Sequence, residues 1–371
     1  MYYLSGINKS NNQFFPEVLQ VAVGTRTSLS ATPSASDWQC IHDLASFHAL
    51  TGVCFSALQQ LPVEQQSCTP ELLGRWFAQT EQIIQANAGQ YRLIPRVAED
   101  LQRQAVDVCL LKGQAVTLYY PQRLQSMRAC GDIDVWAWEH DGSQTEIMKR
   151  CVTGVQQANG KMPNLRFHHV EYTREGIPVE LHFRPTFLFT PWQNRRLWRW
   201  LDSQKRNFTR HKQLNICLPS TEFNLVYLAA HMFRQLFDEG IGLRQVMDYY
   251  YVLLSYEENK TEIVQVLRSL GLYRFAQALM YVLAVVFELP KQRLLVEPDT
   301  QSGERLLHRI MQTGAFGQEA AQRRFAGSSS KRTIAKTCTN MSLFRDYPID
   351  TLAEPLFRIY HSLWRRFYNY V

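Results

Sequence analysis

The chain has 371 residues, 46% hydrophobic and 20% charged, with a formal net charge of +7 and a pI near 9.0. This composition excludes a disordered or fibrous chain, and the length suits roughly two to three domains of about 150 residues with a sizeable core. The positive balance favours anionic partners such as nucleotides, nucleic acid or an acidic membrane surface; it does not choose among them, and a solvated basic surface gives the same balance.

The first residues, MYYLSGINKSNNQFFPE, lack a basic region followed by an apolar run, so no secretory signal is expected. Residues 1–105 are expected to be a helical region. Trp38, Ile41, Leu44, Ala45 and His48 recur at helical spacing, as do segments around 72–86 and 94–104, and Pro33, Pro62, Pro70 and Pro95 punctuate them. Ser36 or Asp37 is the expected N-cap of the helix carrying Trp38.

The period changes near residue 106. Val106, Val108 and Leu110 form a short apolar run ending at Lys112-Gly113, followed by a helical segment from about Gln114, and 133–138 forms a second run. A helix is expected over 145–158. Strands are expected over 167–173 and 179–183, a pair suited to a hairpin. Strands and helices in this order imply an α+β or α/β core over 106–215, embedded between helical N-terminal and C-terminal regions. From Ser220 the helical period returns, at 221–237, 243–254, 263–270 and 273–288, so 216–371 is expected to be a helical domain. Residues 316–336, with the run GSSSKR, are expected to be a loop or linker. The last expected helix, 355–370, mixes aromatic residues with Arg358, Arg365 and Arg366.

The longest apolar stretch, 278–287, is too short to span a bilayer, so the chain is expected to be soluble, with no membrane span. Eight cysteines, at 40, 54, 68, 109, 130, 151, 217 and 338, include no CxxC pair and no Cys/His cluster with zinc spacing. Several lie in apolar runs and read as buried reduced thiols, which points to the cytoplasm.

The informative segment is Arg128-Ala-Cys-Gly131-Asp132-Ile-Asp134-Val-Trp136. Residues i and i+2 of a strand share a face, so Asp132 and Asp134 project together. Two such charges repel unless a cation or shared proton lies between them, and hard oxygen ligands favour Mg²⁺. Gly131 lets the backbone bend and admits a ligand. A two-ion site for phosphoryl or nucleotidyl transfer needs a further carboxylate. Val179-Glu180-Leu-His182-Phe183 supplies one, with Glu180, His182 and Arg184 on one face. Lys112, Gly113 and the helix start after them offer charge and free N–H groups to phosphate, and Arg128 offers a fork of donors. Taken singly, the aspartates also suit two solvated carboxylates at a turn, Lys112 a surface lysine and Arg128 a salt bridge to a nearby acid.

Together, Leu110-Leu-Lys112-Gly113, Tyr120-Pro121, Arg128-x-x-Gly131-Asp132-Ile-Asp134 and Glu180-Leu-His182 resemble a bacterial family of uncharacterised nucleotidyltransferases in the polymerase-β-type superfamily. The resemblance extends to Leu44-Ala-x-x-His48 and to a helix with Arg244 and Asp248, covering most of the chain. It implies a small mixed sheet with flanking helices, Mg²⁺ (two ions), a nucleoside triphosphate such as ATP, Asp132 and Asp134 as metal ligands and Glu180 as the third. Two departures stand out. Lys112-Gly113-Gln114 replaces the superfamily's glycine-serine or glycine-glycine, and Ala129 follows Arg128 where proline is frequent.

The expected activity is therefore Mg²⁺-dependent transfer of a nucleoside monophosphate from a nucleoside triphosphate to a hydroxyl acceptor, whether small molecule, protein or RNA, with release of pyrophosphate. The alternatives are an inactive nucleotide- or protein-binding module on the same fold and a basic nucleic-acid-binding protein. For the last, Trp192, Trp198 and Trp200 among Arg195, Arg196 and Arg199 would stack on a strand, although a core-facing amphipathic helix also explains that pattern. His168 and His169, adjacent on a hairpin strand, are expected to face opposite sides, one of them joining His182 at the site. Arg244 and Asp248 are spaced for an intrahelical ion pair, and with His231 they offer a helical face to close over the nucleotide or acceptor.

Overall fold

A computed structural model describes residues 13–139, 143–315 and 329–368. The chain divides into two compact units, each assembled from three segments: residues 1–86, 119–129 and 235–336 in one, and 87–118, 130–234 and 337–371 in the other. The boundary at 86/87 falls inside the helix Pro70–Gln102, upstream of the point where the apolar period changes.

The first unit is helical. Its helix Ala35–Phe47 is capped by Ser34, whose hydroxyl accepts the Asp37 N–H while the Asp37 carboxylate accepts the Ser34 N–H. This capping box starts the helix ahead of the expected cap, because Asp37 serves as the reciprocal partner rather than the cap. The apolar run within 273–288 is the buried helix Tyr273–Phe287. It packs on Thr300–Thr313, a helix the periodicity did not announce. Gly303 makes that packing possible: a Cβ there would lie 2.3 Å from the Tyr281 Cβ. Pro95 does not separate two helical segments as expected; it lies inside Pro70–Gln102, where Leu93, Ile94, Val97 and Ala98 are anchored in the core.

The second unit holds the sheet. Among the described residues seven strands join in one mixed sheet: β1 (Asp107–Leu111), β2 (Ile133–Trp138), β3 (Asn164–Leu165), β4 (His169–Arg174), β5 (Ile177–His182), β6 (Thr209–His211) and β7 (Ile216–Leu218), in the order β3-β4-β5-β2-β1-β7-β6. The pairs β2–β5 and β1–β7 run parallel and the others antiparallel. This is the α+β architecture with flanking helices that the residue pattern implies. The hairpin β4–β5 closes through Glu175 and Gly176, both at positive φ (53° and 80°), the turn whose twist matches paired strands.

Alternation sorts the two faces. Val108, Leu110, Ile133, Val135, Ala137, Val179 and Leu181 pack with Leu93, Val97 and Leu101 of the long helix and with Ile147, Cys151 and Val155 of the helix Gln144–Asn159. Asp134, Trp136, Glu180 and His182 alternate with these residues, so their side chains leave from the opposite face.

Two expectations change in the C-terminal part. Residues 316–328 of the expected loop lie outside the described residues, and the rest of it starts the helix Ser329–Met341. The last helix begins at Pro348 rather than 355 and contains Pro355 internally. Phe357, His361 and Trp364 pack on Phe167, while Leu356, Ile359 and Phe367 are 68, 61 and 76% exposed, so only part of its apolar surface faces the core. Among the described residues no helix is long and apolar enough to cross a membrane.

Candidate functional site

The site forms where β1, β2, β4 and β5 bring polar residues into register. Asp134 lies opposite Glu180 on the parallel neighbour and opposite Leu111 on the antiparallel one. Glu171 and His169 of β4 lie opposite Glu180 and His182. Directly opposed side chains sit about 4.5–5.5 Å apart at Cβ, so this register gathers three acids and two histidines.

Lys112 completes the cluster. It follows β1 in the left-handed region (φ 44°), and Gly113 after it takes φ 12° and ψ −100°. A non-glycine residue there costs about 1–2 kcal/mol, and the corner aims the side chain at the acids. Lys112 Nζ lies 2.7 Å from Asp134 Oδ1 and 3.8 Å from Glu180 Oε2. Burial opposes the lysine's charge, but Asp134 and Glu180 outweigh it and raise the pKa above the usual lysine range. Burial also disfavours the Glu180 carboxylate, yet Lys112 and the His182 hydrogen bond hold its pKa well below the usual range. His182 Nε2 lies 2.8 Å from Asp134 Oδ1 and 3.3 Å from Glu180 Oε2. Burial would lower its pKa, and these two carboxylates raise it instead.

Asp132 stands just before β2 and is half-buried. Burial first, then Asp134 and Glu180, push its carboxyl up to about 6. Gln114 Nε2 donates to the Asp132 carbonyl at 3.2 Å and to Gln90 Oε1 at 2.8 Å, and Gln90 donates to the Gly131 carbonyl. Gly131 is exposed, and a Cβ there would meet nothing within 4 Å. The helix after β1, Lys112–Thr117, is six residues long and Gly113 departs from helical geometry inside it. Its start is a corner rather than a regular helix N-terminus.

Three sets of donors each lie within 4.8 Å of one another among the described residues: Asp134, Glu180 and His182; His168, His169 and His182; and His169, Glu171 and Glu180. Asp132 is in none of them. The two adjacent histidines do not face opposite sides as expected. His168 precedes β4 and escapes the strand alternation, so its Nε2 lies 3.1 Å from His169 Nδ1.

Tyr227 and His231, four apart on the helix Thr221–Asp238, enter the same electrostatic environment. Burial raises the Tyr227 pKa, with Lys112 and Asp134 as its strongest charged neighbours; burial lowers that of His231, with Lys112 next. Gln90, Gln114, Glu171 and Tyr227 also belong to these surroundings, and no motif marks them. Only Tyr227 had a signal, its i,i+4 spacing from His231.

Arg128 belongs to the other unit. Its Nε donates to Asp248 Oδ1 at 3.0 Å and its Nη2 to Oδ2, while Tyr120 Oη donates to Asp248 Oδ1 at 2.7 Å, all three residues being buried. Arg244 Nη1 donates to the Ala129 carbonyl at 2.8 Å. The tyrosine of the Tyr-Pro pair and the arginine of the Arg-x-x-Gly-Asp motif thus meet on one carboxylate. Asp248→Asn is expected to cost about 3–5 kcal/mol, because it leaves a buried guanidinium without its counter-charge. Urea unfolding measures this, and an unchanged midpoint would show the pair to be structurally idle.

The tryptophans of the helix Pro191–Gln204 are mostly engaged internally. Trp198 lies under the Arg184 guanidinium at 3.6 Å and donates to the Thr186 carbonyl, and Trp200 stacks with Phe223; Trp192 is 57% exposed.

The mixed sheet thus gathers acids and histidines beside a lysine corner. The model of one family, described as uncharacterised nucleotidyltransferase, matches residues 34–288. The match covers more than half of the chain, and the chain belongs to that family. Its general chemistry is nucleotidyl transfer, and the described residues carry a cluster of acidic and histidine donors consistent with it. No curated protein and no solved structure matches the chain.

Proposed function

We propose that this protein is a Mg²⁺-dependent nucleotidyltransferase that moves a nucleoside monophosphate from ATP or another nucleoside triphosphate to a hydroxyl acceptor. The observation that carries this reading is the register of Asp134 against Glu180, with Asp132 inside their field. The donor set fits a divalent cation: two carboxylates face each other, and a cationic Lys112 already lies between them. Asp134, Glu180 and Asp132 would hold Mg²⁺, as a single ion or a pair. Bound there, Mg²⁺ supplies a Lewis acid that stabilises charge on phosphate and acceptor oxygens.

The chain's own groups do the rest. Open space at Gly131 admits the phosphates. Lys112, set in direction by the Gly113 corner, would offer its ammonium to a phosphate oxygen once a cation took its place beside Asp134 and Glu180. His182 holds Asp134 through Nε2. Gln90 and Gln114 fix the backbone that carries Asp132. The acceptor hydroxyl gives up its proton to water, its oxygen bonds to the α-phosphorus, and the bond to pyrophosphate breaks. Arg128, committed to Asp248, supports this reading as a framework residue rather than a phosphate donor. Cys54, Cys109 and Cys151 are buried, as reduced structural thiols are, which supports a reducing, cytoplasmic location.

One observation favours a second reading, an inactive nucleotide- or protein-binding module: the Lys112 ammonium lies against both Asp134 and Glu180, at 2.7 and 3.8 Å, where a cation would have to bind. Calorimetry with ATP and other triphosphates plus Mg²⁺, run beside a pyrophosphate-release assay, separates the two. Release that requires Mg²⁺ is expected. Tight binding without release for any acceptor tried would favour the module, and absence of both would end the proposal.

A further inference from the structure

We infer that His168, His169 and His182 form a second cation site, adjoining the carboxylate site through His182, that takes a divalent ion preferring imidazole, of the zinc class. One nitrogen from each of the three lies within 4.8 Å of the others, and all three residues are buried. Two nitrogens on one zinc ion, each about 2.0–2.1 Å from it in tetrahedral geometry, lie about 3.3 Å apart. His168 Nε2 and His169 Nδ1 are 3.1 Å apart. His182 supplies the third nitrogen, within 4.8 Å of the other two.

The remaining nitrogens support the same assignment. Histidines that bind metal characteristically give their other ring nitrogen to a carboxylate, which fixes the tautomer and the ring orientation. His169 Nε2 lies 3.1 Å from Glu171 Oε1, leaving Nδ1 toward His168. His182 Nε2 lies 2.8 Å from Asp134 Oδ1, and its Nδ1 is buried with no hydrogen-bond partner among the described residues. An unpaired buried polar atom costs about 1–3 kcal/mol, and an ion at Nδ1 would give it a partner. Arg166 binds Glu171 through both guanidinium donors, at 2.8 and 3.1 Å, and steadies the carboxylate that orients His169. Imidazole nitrogen suits zinc, copper, iron or nickel, whereas magnesium prefers oxygen. Through His182 the site abuts Asp134, yet it does not depend on nucleotidyl transfer.

Zinc content after dialysis, measured by elemental analysis of the full chain, together with calorimetric titration of ZnCl₂, tests the assignment. One zinc per chain is expected, retained in excess Mg²⁺. Co²⁺ in its place is expected to show the visible absorption of a low-coordinate imidazole site. His168→Ala should weaken zinc binding at least about 100-fold and remove the cobalt spectrum, with circular dichroism verifying the fold. Glu171→Gln, a milder change on a partly exposed side chain, should weaken binding about 10–100-fold. Wild-type protein without zinc, or a folded His168→Ala or Glu171→Gln variant that binds zinc as tightly as wild type, would overturn the inference. So would loss of zinc confined to Asp134→Asn and Glu180→Gln, which would place the ion among the carboxylates. None of these measurements requires triphosphate, so failure of the zinc site and failure of the transfer reaction are read separately.

Discussion

Asp132→Asn is expected to lower Mg²⁺-dependent nucleotide transfer about 10²–10³-fold while making the metal-free protein more stable at pH 7. The loss follows from removing one charge that holds the ion and stabilises the transition state. The gain follows from the neighbours. Asp132 carries a carboxyl pushed to about 6 from 3.8, by burial first and then by Asp134 and Glu180. That shift corresponds to about 3 kcal/mol of disfavour in the folded state, and to about 1 kcal/mol once screening at a partly exposed group is allowed for. The sign with pH is fixed. Between pH 3.8 and about 6 the folded chain keeps a proton that the unfolded chain has released. This group's contribution to stability therefore falls as pH rises through that window and stays low above it. The variant lacks the fall, so its advantage should vanish below about pH 4 and be complete at pH 7. Saturating Mg²⁺ should shrink it, because the ion supplies the missing counter-charge. Denaturant midpoints from pH 4 to 7.5, with and without Mg²⁺, measure this. A variant less stable than wild type at pH 7 would show that the three acids do not share one field. Transfer at the wild-type rate would remove Asp132 from the reaction.

The elements of this site were readable, and its assembly was not. Ile133, Val135, Val179 and Leu181 announce β2 and β5 by alternation, so Asp134 and Glu180 could be placed on polar faces. The sequence holds no record of register, and register is what sets Asp134 against Glu180 and Leu111. Lys112 could be placed at a strand end, but nothing in Leu-Lys-Gly declares a residue at φ 44° whose side chain turns toward the sheet's acids. Arg128 offered both a phosphate fork and a salt bridge to an acid, and nothing in the sequence names that acid: it is Asp248, 120 residues onward, in the same compact unit as Arg128. His168 and His169 were separated by a strand rule that begins to apply only at His169. A search for metal ligands by cysteine and histidine spacing therefore passed over three imidazoles gathered from the β4–β5 hairpin. Gln90 and Gln114 carried no signal, because buried amides that hold a backbone carbonyl look like any other polar residue of a helix.

Lys112→Met provides the sharpest separation between a lysine that replaces a cation and one that merely fills space. Methionine keeps an unbranched stem of similar reach and removes the charge. Asp134 and Glu180 would then face each other, with Asp132 beside them and His182 as their nearest basic partner. Deleting one member of a buried pair costs about 3–5 kcal/mol. The Lys112 side chain is 17% exposed and that of Glu180 23%, which places the expected loss near about 3 kcal/mol without metal. A divalent ion at 100 times its dissociation constant returns about 2.7 kcal/mol, so Mg²⁺ should restore most of the stability. In wild type the ion must first displace the ammonium from Asp134, so the same Mg²⁺ should stabilise it less. Lys112→Met is thus expected to bind Mg²⁺ more tightly than wild type and still to transfer nucleotide poorly, because no ammonium is left to meet the phosphate. Thermal unfolding against Mg²⁺ concentration, with calorimetry for affinity, decides it. If wild type gains as much stability from Mg²⁺ as the variant, the lysine and the ion do not compete for one place, and the carboxylates beside Lys112 are not where the metal binds.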